Sequence, residues 1–160
     1  MDGTLYDETL SSARTETLFI LLALIFFALF GWRLSMVGWN GWTITFLCIS
    51  VFFLFYVFNY RTLKIHLTHE SLQLSFGIFT WTIPIAHIDH CYLDAPSIGS
   101  VGGAGIHFTW VKGNYRAFFN FLEYPRVVVA FKKKKGPVKE VAFTTQHPEK
   151  VMQIIQSGLD

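Results

Sequence analysis

The sequence predicts a small membrane protein in two parts: a two-helix transmembrane hairpin, then a mainly-β domain of about seven or eight antiparallel strands closed by a C-terminal helix. Three observations predict it. Apolar residues make up 52% of the 160 residues and charged residues only 15%, off the soluble average toward membrane proteins. Charge is segregated, with Arg33 alone in residues 17–60 and eighteen charges in residues 61–160. The hydrophobic pattern changes near residue 61 from continuous to alternating. The same composition excludes a disordered chain, a collagen-like repeat and a disulfide scaffold, and disfavours an ordinary soluble enzyme. Cys48 falls in an apolar run and Cys91 in the polar half, so both are read as free thiols.

Residues 1–16 read as an N-terminal tail carrying Asp2, Asp7, Glu8 and Glu16 against Arg14. Residues 17–32 (TLFILLALIFFALFGW) run without a charge for about 24 Å of helix. With Arg33 snorkelling to the interface, the helix extends through Leu34, Met36 and Val37 to full span. Residues 42–60 (WTITFLCISVFFLFYVFNY) supply a second span of about 28 Å. Gly38, Asn40 and Gly41 make the turn, with Trp32, Trp39 and Trp42 where an aromatic belt would lie and Tyr56 and Tyr60 at the opposite interface. A cleaved signal peptide would need a basic leading region and a small-residue cleavage site, and neither is present. Arg14, Arg61 and Lys64 flank the outer ends against Arg33 in the turn, which places both termini in the cytoplasm of a multi-pass cell-membrane protein. No Asp, Glu, Lys or His falls within either span, so the hairpin reads as an anchor, not a transport path.

Downstream, Leu63, Ile65 and Leu67 alternate with polar residues, His69-Glu70-Ser71 breaks the run, and Leu72, Leu74 and Phe76 alternate again before Gly77: a hairpin. Further strands are expected over residues 80–85, 88–93, 106–111, 115–122, 127–132 and 138–144, separated by residues 96–105, Gly113-Asn114 and Gly136-Pro137. Pro148 with Glu149 beside it opens a helix whose Val151, Ile154 and Ile155 share one face before Gly158. Such a helix plugs the open end of a curled sheet.

Leu67-Thr68-His69-Glu70-Ser71-Leu72 through Phe76-Gly77, followed by Ile83-Pro84-Ile85-Ala86-His87-Ile88, resembles the L-T-x-x-x-L … G … I-P-x-x-x-I run of bacterial pleckstrin-homology-like (PH-like) domains. Thr144-Thr145-Gln146-His147-Pro148-Glu149 is similar to the segment that leads into their last helix, and Gly102-Gly103-Ala104-Gly105-Ile106 to a glycine-rich element of one subgroup. The resemblance covers about residues 61–157 and implies a PH-like barrel, often preceded by a two-helix anchor, with no known catalytic residues.

Lys132, Lys133, Lys134 and Lys135 are the sharpest local feature, in a domain with eleven Lys and Arg against seven Asp and Glu, a net of +4. Near an anionic leaflet each cation adds on the order of 1 kcal/mol of attraction, while the bland reading is a solvated turn. Phe118, Phe119, Phe121 and Tyr124 place rings on both faces of one strand. Burial of both faces is the favoured reading, and an exposed aromatic patch for a partner is the other. His66, His69, His87 and His90 invite a metal site, but strand residues three apart point to opposite faces and neither H-E-x-x-H nor a cysteine pair is present. Cys91 beside His90 diverges in the same way, and the glycine loop at residues 99–105 precedes a strand where a phosphate loop precedes a helix. The sequence therefore points to a non-catalytic binding or scaffolding protein that presents a PH-like domain to a protein or peptide. The alternative is an anionic-lipid sensor using Lys132 to Lys135. No cofactor, metal or nucleic-acid partner is expected.

Overall fold

The computed structural model describes residues 3–94, 103–132 and 136–159. The chain divides into two compact units, Ser12–Arg61 and Met1–Ser11 with Thr62–Asp160.

The first unit is a pair of helices, α1 (Ala13–Val37) and α2 (Gly41–Asn59). Both are long and apolar enough to cross a membrane, at about 37 and 28 Å. Each begins with a side-chain cap: the Ser12 hydroxyl accepts from the Thr15 amide at 3.1 Å, and the Asn40 carbonyl from the Thr43 amide at 3.1 Å. The Ser12 cap starts α1 four residues before the apolar run does, so Arg14 and Glu16 belong to the helix. Gly38, with φ of 72°, ends α1 in a backbone conformation that costs any other residue strain. Ala23 brings the helices close enough for the Ser50 hydroxyl to donate to its carbonyl at 3.0 Å, and Phe19, Phe26, Phe46, Phe53 and Tyr56 interleave along the seam. Most other side chains, including Leu21, Leu24, Ile25, Phe27, Val51 and Phe52, are exposed.

The second unit is β. Its first sheet is antiparallel in the order β1-β2-β3-β4: β1 (Thr4–Ser11), β2 (Thr62–Thr68), β3 (Ser71–Phe76) and β4 (Phe79–Pro84). A 3-10 turn over Ile85–His87 leads to a second sheet of five strands. These are β5 (Ile88–Asp94), β6 (Gly105–Val111), β7 (Asn114–Asn120), β8 (Arg126–Phe131) and β9 (Glu140–Thr144), in the order β5-β8-β9-β7-β6. The helix α3 (Pro148–Ser157) ends the unit with Val151 and Ile155 fully buried.

Three expectations are corrected. The N-terminal segment is no tail: residues 4–11 form β1, whose register runs antiparallel to β2 from Thr4 opposite Thr68 to Ser11 opposite Thr62. The strands make two sheets and not one closed barrel. The sheet is also not wholly antiparallel, because the β8–β9 pair inserts between β5 and β7 and leaves β7 parallel to β9.

The facing surfaces form the core. Leu63, Ile65, Leu67, Leu72, Leu74 and Phe76 of the first sheet are fully buried, as are Val127, Val129, Val141 and Phe143 of the second. Phe76 stacks on Phe119 at 6.2 Å and meets Phe121 edge-on at 5.2 Å. Two-residue turns close the β2–β3, β3–β4 and β6–β7 hairpins. Lys112 and Gly113, with φ of 48° and 81°, supply the two positive values that a type I′ turn between β6 and β7 requires.

β1 is pinned to the end of the second sheet. The Glu8 carboxylate accepts from the Tyr6 hydroxyl (2.8 Å), the Thr145 hydroxyl (2.6 Å) and the Gln146 amide (2.9 Å). Burial raises the Tyr6 pKa to about 12 from 10.0, opposed by the hydrogen bond with Thr145 and assisted by the Glu8 carboxylate. The unfolded chain then releases this proton first, so the contribution is intact below pH 10 and lost as pH rises through 12. Urea unfolding of the full chain in micelles is expected to show stability falling over that window by on the order of 2 kcal/mol, with the decline flattened in Tyr6→Phe.

Candidate functional site

The corner where the chain passes from the first sheet to the second holds a cleft of about 380 Å³. One wall is β4, with Trp81, Thr82, Ile83 and Pro84, and the other is Ala86, His87, Phe131 and Lys132. β4 is the last strand of its sheet, so one of its edges has no strand beside it among the described residues.

The direction of its main-chain groups follows from the ladder. Ile85 N–H donates to the Glu70 carbonyl at 2.8 Å, which makes that cross-strand pair a hydrogen-bonded one. In an antiparallel pair these alternate, so in the observed register Ile83, Trp81 and Phe79 also bond inward to β3. Thr80 and Thr82 therefore aim N–H and C=O outward, and Pro84 aims a carbonyl outward with no N–H to lose. Proline is tolerated in a strand at such an edge position. Thr80, Thr82, Pro84, Ala86 and His87 are all exposed. The far wall is fixed by the Lys132 amide, which donates to the His87 carbonyl at 2.9 Å. Among the described residues lining the cleft there is no Asp or Glu, and Lys132 is exposed.

No family model matches the chain, and no curated protein is similar to it.

The residues singled out by sequence separate clearly. Lys132 stands at the end of β8 beside the cleft, while Lys133, Lys134 and Lys135 lie outside the described residues. Phe118, Phe119 and Phe121 are 1%, 2% and 1% exposed, and Tyr124 is half-buried with its hydroxyl donating to the Ser11 carbonyl at 2.8 Å. The three phenylalanines are core, not a partner surface, because the central strands β7, β8 and β9 are buried on both faces. On one face Phe119 meets Phe76 and Trp81, and on the other Phe118 packs with Val128 and Ala142. His66 faces Asp7 at 3.6 Å and His90 faces Asp89 at 2.8 Å, each an exposed pair, and no three metal-binding side chains converge among the described residues. The glycine loop lies outside the described residues through Gly102, and Gly105 opens β6.

Sequence reasoning missed two groups. The outward edge of β4 was one, and Pro84 inside a strand-like run was its signal. The other is a buried ionic network on the Phe118 face. Arg116 donates to Glu140 through Nε at 2.8 Å and to the Tyr92 hydroxyl at 2.9 Å, and its other nitrogen lies 3.4 Å from Asp94. Arg126 lies 3.5 Å from the same Asp94 oxygen, and Asn114 donates to Glu140 at 2.8 Å. Burial lowers the Arg126 pKa, with Asp94 opposing the shift. Two cations and two anions balance here, so the network is a structural element of the sheet.

Cys91 is buried with its thiol against the Met152 carbonyl at 3.7 Å, and burial raises its pKa. A raised thiol pKa means less thiolate, the reactive form. Maleimide labelling of Cys91 at pH 8 is expected to be more than about tenfold slower in the folded chain than in denaturant.

Proposed function

We propose that this chain is a membrane-anchored, non-catalytic binding module in which α1 and α2 hold a PH-like β domain at the cell membrane for a protein or peptide partner. The observation that carries the reading is the outward main-chain edge of β4 beside a cleft whose described residues include no acid, a surface suited to recognition by strand addition. The resemblance of residues 61–157 to PH-like domains supports it, as does the order of strands followed by one closing helix.

The connectivity supports a topology as well. Ser11 and Thr62 are cross-strand partners, so the chain leaves the first sheet at β1, traverses both helices and returns to the same sheet at β2. If one helix crosses the membrane, the other must cross back. Both termini then lie on one side, and Arg14, Arg61 and Lys64 make that side the cytoplasm. A second reading, contact with anionic lipid, is favoured by the exposure of Lys132 and the three lysines that follow it in sequence.

A photoreactive side chain placed at Thr82 of the full chain in cell membranes is expected to give a discrete protein adduct that the same group at Lys64 on β2 does not. Adducts with lipid alone, or none from either position, would contradict the proposal.

A further inference from the structure

We infer that the cleft takes an extended acidic segment of a partner protein, added as a fifth strand along β4, with an acidic side chain against Lys132. The inference rests on the binding-module reading and specifies its partner.

Three observations converge on this occupant. Thr80 and Thr82 present two donors and two acceptors outward, spaced two residues apart as a neighbouring strand requires. An added strand lies roughly 4.8 Å from β4, and the cleft provides open space beside its Trp81–Pro84 half. Its far wall combines apolar Ala86 and Phe131 with His87 and Lys132 and, among the described residues, carries no acid, so a segment alternating apolar and acidic residues fits both pocket and charge. A second copy of the chain fits less well, because antiparallel pairing of two β4 edges would set each Lys132 opposite the Phe79–Thr80 end of the other strand, which carries no counter-charge.

Thr82→Pro removes one outward N–H while leaving the β3–β4 ladder intact, since that N–H does not bond β3. Lys132→Glu reverses the charge of an exposed side chain at the strand end. The experiment is selection of phage-displayed random nine-residue peptides on the full chain in neutral-lipid nanodiscs, with anionic phosphatidylglycerol vesicles tested in parallel. The expected result is enrichment of peptides alternating β-branched and acidic residues. Their binding should weaken by at least about tenfold with Thr82→Pro and with Lys132→Glu, and should return on Lys132→Glu when their acids are changed to lysine.

Enriched peptides that bind both variants as well as the unaltered chain would overturn the cleft assignment while leaving the binding-module reading standing. No enriched peptide, with salt-sensitive vesicle binding lost in Lys132→Glu, would overturn both in favour of lipid. No binding of either kind would also overturn both.

Discussion

Arg116→Ala is expected to destabilise the β unit by about 3–5 kcal/mol, because it leaves Glu140 and Asp94 buried without their principal counter-charge. The Arg116 side chain is 4% exposed and those of Glu140 and Asp94 are 8% and 12% exposed, so water does little to replace the lost cation. The loss is expected as a shift in the urea midpoint of the full chain in micelles, with the slope unchanged. The cost lies in the orphaned charge more than in the ion pair itself. Replacing Arg116 and Glu140 together by Met and Leu is therefore expected to cost much less than the sum of the single changes. Additive losses would show that the two residues act independently.

Phe119→Ala is expected to cost about 3–5 kcal/mol by the same measurement. The ring is 2% exposed and lies between Phe76 and Trp81, so its removal leaves a cavity where the two sheets meet. A partner-binding surface residue would lose no more than about 0.5 kcal/mol, so the size of the effect separates the two roles. A small change would return the aromatic strand to consideration as a surface.

Strands that bury one face announced themselves by alternation, as in Leu63, Ile65 and Leu67, and their bounds were legible to within about two residues. β7, β8 and β9 bury both faces, so Phe118 and Phe119 gave a continuous apolar signal compatible with either core or exposed patch. β1 was illegible for another reason. Asp7, Glu8 and Thr9 read as a polar tail, and the partner that makes them a strand lies beyond two helices in sequence. The parallel pairing of β7 and β9 is likewise a property of the whole sheet and leaves no local mark. At the candidate site, Lys132 was legible as an unneutralised cation. The β4 edge was not, because its recognition groups are main-chain atoms whose direction only the ladder defines.

The central claim is that a membrane hairpin emerges from within the first sheet of a β domain that remains on one side. Impermeant maleimide labelling of single thiols in sealed vesicles tests it most directly, using Trp39→Cys in the helix turn, Thr9→Cys in β1 and Gln156→Cys in α3, each in a Cys48→Ala background with buried Cys91 retained. The account predicts that Thr9→Cys and Gln156→Cys label from one side and Trp39→Cys only from the other. Labelling of all three from the same side, or of Thr9→Cys and Gln156→Cys from opposite sides, would contradict it.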